Sequence, residues 1–208
     1  MGYRFGDLAF TDAVQREQER HGSADGYARM RARKDDLPAD APRLGAREAA
    51  FIAARDSFYM ASVGETGWPY VQHRGGPAGF IRALDGSRLG FLDYRGNRQY
   101  VSLGNLATNN RLSLFFMDYP NRTRLKLLGR ASVVEGEEAL APLLPLLSPP
   151  GMTGKAERAF VITVEATDWN CPQHITPRFT LAEVEQAVQP LHDRIAALEA
   201  ELAARKAG

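Results

Sequence analysis

The sequence lacks most of the features that announce a function. It has one cysteine, Cys171, in 208 residues, so no internal disulfide can form, which fits a reducing compartment. No apolar run approaches the ~18 residues of a membrane-spanning helix. The opening MGYRFGDLAF lacks the apolar stretch of a signal peptide. A formal net charge of +1 leaves no strong field to draw the chain to nucleic acid or to a membrane surface. A cytoplasmic protein is therefore expected, with neither nucleic acid nor membrane as a partner. The motif inventory is equally thin. There is no Gly-x-x-x-x-Gly-Lys-Ser/Thr phosphate loop, no Gly-x-Gly-x-x-Gly after a predicted strand, no His-Glu-x-x-His and no Gly-x-Ser-x-Gly. His21, His73, His174 and His192 are scattered without metal-ligand spacing, so no metal site is expected.

What remains is ordinary globular composition, 44% hydrophobic and 25% charged, with a clear order along the chain. Residues 1–45 are polar and broken by Gly and Pro. Helical stretches are predicted near 15–20 and 27–34, and Pro38 and Pro42 mark 35–45 as a connector. This part reads as an N-terminal arm. Residues 46–57 are rich in good helix formers. Seven apolar or alternating runs then follow, at 58–63, 68–74, 80–84, 89–94, 112–119, 125–134 and 159–167. Asp85-Gly86 between the third and fourth is a strong hairpin signal. Helices are predicted at 99–110 and 137–147. Short connections between successive strands favour antiparallel pairing, and a closed or nearly closed barrel would hide their edges. The fold class expected is mainly β with flanking helices, an antiparallel six- to seven-stranded barrel over 46–179.

Residues 180–208 change character. Leu181, Val184, Val188, Leu191, Ile195, Leu198 and Leu202 are spaced 3, 4, 3, 4, 3 and 4 apart, a heptad seam on a C-terminal amphipathic helix. Thr180 with Glu183 forms a capping box. Pro190 inside the seam is expected to kink or divide the helix. Two destinations stay open for the seam: a coiled-coil dimer contact, or packing on the chain's own barrel.

Three segments concentrate the residues suited to chemistry. Val71-Gln72-His73-Arg74-Gly75-Gly76-Pro77 is polar and glycine-rich where a strand should be apolar, which marks either close approach of a ligand or a bulge. Asp93-Tyr94-Arg95-Gly96-Asn97-Arg98-Gln99 joins a strand end to a helix start. A free helix N-terminus and arginine forks suit a phosphate there; the alternative is a solvated turn. Asn121-Arg122-Thr123-Arg124 sets two arginines at a strand entrance, facing a pocket or simply water.

Taken in order, these pieces resemble the flavin-binding core of the pyridoxamine 5'-phosphate oxidase-like split barrels. The run comprises the Gly67-x-Pro69 turn, the strand of 71–76, the Asp85-Gly86 hairpin and the strand of 89–93. Then come Gly96-Asn97-Arg98-Gln99, Asn109-Asn110-Arg111 and Leu128-Gly129-Arg130-Ala131. His73-Arg74-Gly75-Gly76-Pro77 and Cys171-Pro172-Gln173-His174-Ile175 are similar to a branch of predicted flavin-nucleotide-binding proteins. The resemblance implies a split β-barrel and a homodimer with FMN at the subunit interface. It implies that Asn97 and Arg98 hold the phosphate, with Gln99 replacing a second basic residue. Gln72, His73, Arg74 and Gly75 would line the ring, with Asp93 close by and Arg124 near it. Trp169 would either stack near the flavin, approaching from the other subunit, or plug a barrel end. An alternative register puts Arg82 in place of Arg74. The implied activity is transfer of hydride or electrons between NAD(P)H or a small substrate and an acceptor, with His73 and His174 as candidate acid–base groups. A non-catalytic flavin- or nucleotide-binding module and a structural dimer with solvated arginines are the competing readings. Segment 137–151, EEALAPLLPLLSPPG, lacks the Tyr and Arg with which the oxidases hold their substrate phosphate, so vitamin B6 oxidation is not expected.

Overall fold

The structure, a computed structural model, describes residues 4–32, 43–149, 151–152, 154–169 and 172–207. Much of the expected 35–45 connector, together with Cys171, lies outside the described residues. Three short helices open the chain: α1 (Phe5–Ala9), α2 (Asp12–Arg20) and α3 (Ala24–Ala32). Helix α4 (Ala46–Ala53) leads into strands β1 (Ser57–Val63), β2 (Pro69–Gly75), β3 (Ile81–Ala83) and β4 (Arg88–Tyr94). After α5 (Val101–Thr108) come β5 (Arg111–Asp118) and β6 (Thr123–Glu135). Two single-turn helices, α6 (Glu137–Leu140) and α7 (Leu144–Leu147), precede β7 (Ala156–Trp169) and α8 (Leu181–Ala207). All seven expected strands form. The helix expected over 137–147 breaks into α6 and α7: Pro142 and Pro145 have no N–H with which to continue the ladder from α6 into α7, and Pro145 falls in the first turn of α7, where none is needed. Pro190 does not divide α8.

The strands make one antiparallel sheet in the order β2-β1-β5-β6-β7-β4-β3. It curls around a single main core in which Phe58, Phe116, Phe91 and Phe160 meet. Phe58 contacts Phe116 at 5.2 Å and Phe91 at 5.4 Å, and Phe91 stacks on Phe160 at 5.0 Å between centroids. Strict alternation explains this: Phe58 and Met60 on β1, Leu114 and Phe116 on β5, and Leu125 and Leu127 on β6 are buried. Gly129, at the β-bulge of β6, is the place where strand and neighbour come closest. A Cβ there would lie 2.7 Å from the Thr163 carbonyl oxygen.

The sheet's hydrogen bonds do not close the barrel. β2 and β3 are its two free edges, and β3 is only three residues long. The gap is bridged by side chains. Arg74 of β2 reaches Asp93 of β4 at 2.5 Å, and Arg158 of β7 takes the other carboxylate oxygen at 2.8 Å. Arg158 also donates to Glu135 at 2.7 Å and Glu157 at 3.2 Å. Burial pulls the Arg158 guanidinium toward its neutral form, but hydrogen bonds to Glu135 and Asp93 outweigh this and hold it above its ordinary value. The Arg74 guanidinium lies 5.3 Å from the Phe160 ring and 5.7 Å from that of Phe91, within cation–π range. At the outer end of the barrel, Asp85 organises the β3–β4 turn. Its Oδ1 accepts from the Ser87 and Arg88 backbone N–H groups at 2.8 Å each, and its Oδ2 accepts from Arg88 Nε at 2.7 Å. Among the described residues no helix is long and apolar enough to cross a membrane.

Two predictions follow from these ion pairs. Asp93→Asn keeps the shape but leaves the half-buried Arg74 without its anion and the buried Arg158 with only Glu135 and Glu157. It is expected to cost about 3–5 kcal/mol, measured as a lower urea midpoint with an unchanged slope. For Asp85, Arg88 foremost and then the Ser87 N–H lower the carboxyl to about 2, below its unfolded value of about 3.9. Its contribution to stability is therefore complete above the unfolded value and disappears as pH falls toward about 2. In Asp85→Asn the melting temperature should fall less steeply over that acid interval than in the wild type. Equal slopes in a pH series of melts would count against this account of the turn.

Candidate functional site

Alternation on β2 sorts its residues onto two faces. Tyr70, Gln72 and Arg74 are half-buried, while Val71, His73 and Gly75 point to the exposed side. The inward set borders a cavity of about 220 Å³, walled on the other sides by the end of β4, the 96–100 turn, the first turn of α5 and the start of β7. Of the residues expected at a site, Gln72, Arg74, Asp93, Asn97, Arg98 and Gln99 line this one cavity. Arg82 does not line it; its Nε donates to the Gly79 carbonyl instead.

The polar groups of the cavity divide into committed and uncommitted ones. The Asp93 carboxylate is shared by Arg74 and Arg158. It serves as counter-ion and positions both. The Gln72 Oε1 accepts from Ser102 Oγ at 2.8 Å, which ties β2 to α5 and leaves the amide N–H groups to donate. Asn105 Nδ2 donates to Ser62 Oγ at 3.0 Å and fixes α5 on β1. The Asn97 Oδ1 accepts from the Gln99 N–H at 3.2 Å, an Asx turn that shapes the loop. Among the arginines of the cavity, two have uncommitted donors. Arg98 makes no hydrogen bond or ion pair among the described residues. Arg74 Nε is buried with no hydrogen-bond partner.

The backbone adds to this. Arg98 and Tyr100 have φ of 62° and 54°, left-handed conformations that cost a non-glycine residue energy and cluster at ligand sites. Tyr100 is the N-cap of α5 and supplies no side-chain cap. The first N–H groups of α5 therefore have no intrahelical or capping partner, at the positive end of the helix dipole. Three guanidinium groups, Arg74, Arg98 and Arg158, face two carboxylates, Asp93 and Glu157, in the wall. The arrangement can take an anion at the turn and a planar acceptor-bearing group along β2.

The remaining expected residues lie elsewhere in the chain. His73, on the outer face of β2, meets Tyr59 edge-on at 5.6 Å. Gly75 shares that face; a Cβ there would meet the His73 ring at 3.1 Å. Arg124 lines a second cavity of about 340 Å³ on the outer face of β1, β5 and β6, together with Tyr59, Met117, Tyr119, His174 and Arg178. Its Nε is also buried without a hydrogen-bond partner. Trp169 lies under α4: its indole N–H donates to Glu48 at 2.6 Å, Phe51 packs edge-on at 4.8 Å and the Arg47 guanidinium covers the ring at 4.1 Å. Arg158 and Phe160 line the first cavity but were not singled out from the sequence. The signal was present: Phe160, Ile162 and Val164 alternate on one face, and two residues back the same face carries a charged Arg158.

Residues 44–168, more than half of the chain, match the family described as pyridoxamine 5'-phosphate oxidase. No curated protein matches the sequence. Among solved structures, HupZ of Group A Streptococcus is similar at 16% identity, covering 65% of this chain and 100% of its own, with a TM-score of 0.47. A Clostridium acetobutylicum protein related to a general stress protein of the pyridoxinephosphate oxidase family is 18% identical over 66% of this chain and 94% of its own, TM-score 0.43. An FMN-binding protein of Syntrophomonas wolfei is 9% identical over 58% of this chain and 81% of its own, TM-score 0.45. The extent of the family match, over the strands that build both cavities, carries the assignment: this chain belongs to the pyridoxamine 5'-phosphate oxidase family.

Proposed function

We propose that the cavity between β2, β4, β7 and α5 binds FMN, and that the protein is an oxidoreductase moving hydride or electrons between NAD(P)H or a small substrate and an acceptor. One observation carries this reading: an uncapped helix N-terminus, an unpaired arginine and a buried arginine Nε without a partner meet in one cavity. A phosphate dianion answers the first two, and the heteroatoms of a flavin ring answer the third. Arg98 and the first N–H groups of α5 hold the phosphate. Gln72 and Arg74 donate to ring acceptors along β2, and Asp93 keeps the Arg74 fork in place. Bound FMN supplies the hydride and single-electron chemistry, and the protein groups orient it and set its electrostatics.

The reading includes a homodimer. The cavity of about 220 Å³ is smaller than the roughly 300–1,000 Å³ usual for small-molecule sites, and in this reading a second copy completes it. The outer face of the β1–β2 hairpin exposes Tyr59, Val63, Trp68 and Val71, a contiguous apolar patch of the kind that marks an interface. In the dimer Arg124 of the second cavity brings a further positive charge toward the ring. Vitamin B6 oxidation is not part of the proposal, because segment 137–151 offers no Arg or Tyr to a substrate phosphate.

The direct test is the absorption spectrum of the purified protein with mass spectrometry of the released ligand. Flavin bands and the mass of FMN are expected; a colourless protein that does not take up added FMN rejects the proposal. Anaerobic bleaching by NAD(P)H and recovery in air identify an enzyme, whereas a coloured protein that NAD(P)H leaves unchanged identifies a flavin-holding module. Arg98→Ala should weaken FMN binding by about 1.5–3 kcal/mol, the range for a hydrogen bond to a charged group. Equilibrium dialysis against FMN measures it, and equal retention by variant and wild type removes Arg98 from the phosphate site.

A further inference from the structure

The apolar seam of α8 faces solvent. From Leu181 to Lys206 every residue is exposed except Val188, which is half-buried, and no residue of α8 joins either apolar core. Leu191 and Ile195 are 63% and 52% exposed. Packing on the chain's own barrel, one of the two destinations open from the sequence, is therefore not the one adopted. A helix of this kind draws its stability from covering its apolar face rather than from propensity.

Heptad positions identify what covers it. Counting from Leu181 as a, the central layers place the β-branched Val188 and Ile195 at a and Leu191 and Leu198 at d. That combination favours two parallel strands. The flanking charges agree. Arg194 at g precedes Glu199 at e by five residues, and Glu201 at g precedes Lys206 at e by five. In a parallel, in-register pair, g of one helix faces the following e of its partner, so both contacts join opposite charges. Among the described residues none of these four groups has an ion pair within its own chain. Pro190 occupies c, on the side away from the seam.

We propose that α8 pairs with α8 of a second copy of this chain as a parallel, in-register, two-stranded coiled coil. The inference stands independently of the flavin. The pairing holds two barrels at the same end of one stalk and raises the effective concentration of each for the other.

The experiment uses the full chain carrying Cys171→Ser, with single cysteines placed at d (Val184→Cys, Leu198→Cys) or at the outward f position (Ala200→Cys). Both d variants are expected to form covalent dimers under mild oxidation at least about tenfold faster than Ala200→Cys, because paired seam residues meet at millimolar effective concentration. Arg194→Glu added to Leu198→Cys should slow the reaction, and Glu199→Arg on top should restore it. Equal rates at d and f overturn the pairing. Val184→Cys cross-linking only when mixed with Leu202→Cys overturns the parallel arrangement. None of the α8 positions lines the cavity proposed for FMN, so flavin content measured on the same samples reports separately on the proposed cofactor.

Discussion

The carboxylate of Asp93, held between the guanidinium groups of Arg74 and Arg158, is the contact on which the rest of the structure depends. The sheet's backbone hydrogen bonds stop at β2 on one side and β3 on the other, so nothing in the ladder holds those edges in position. A shared anion between two mostly buried cations ties the β2 edge to β4 and β7, and it does so with direction, since each guanidinium is fixed by hydrogen bonds as well as by charge. Such a cluster costs desolvation, and its net contribution to stability is smaller than its contacts suggest. What it secures is geometry: it sets the width of the split in the barrel and the depth of the cavity beneath it.

The same cluster explains why the cavity is suited to an anionic ligand. Asp93 is the counter-ion of both Arg74 and Arg158, and its hydrogen bond helps hold the buried Arg158 guanidinium in its charged form. Among the described residues Arg98 is the cavity's arginine with no partner, on a turn of left-handed residues leading into a helix whose N-cap supplies no side-chain cap. The arginines thus divide into two that build the wall and one that does not. Gln72 belongs to the wall through its oxygen, tied to Ser102, and its amide N–H groups have no acceptor among the described residues.

Much of this was legible in the sequence. Period-two alternation and short connections gave all seven strands, and the Asp85-Gly86 signal placed the β3–β4 hairpin. The turn 96–99 was readable as a strand-to-helix junction, because glycine and asparagine there end the alternation of β4 before α5 begins. Arg158 was not readable in the same way, because it lies more than sixty residues from Asp93 in the chain and only the antiparallel pairing of β4 with β7 brings the two together. His73 and Arg124 illustrate a different limit. Resemblance placed them with Arg74 around one ring, while within a single chain the pleat sends His73 to the outer face and β6 carries Arg124 to a separate cavity. Trp169, the last residue of β7 and paired with Leu125, has its ring against Glu48 and Phe51 of α4, a contact that no local pattern in the sequence announces.

The sequence by itself determined which residues alternate, where turns fall and which helix carries a heptad seam, because each depends on neighbours within a few positions. Tertiary structure alone decided that the barrel is left open, that Asp93 holds one arginine from the far edge strand β2 and one from its neighbour β7, and that the seam of α8 stays on the outside. Those outcomes depend on which distant strands pair and on how far a curled sheet falls short of closing, and local pattern carries no information about either.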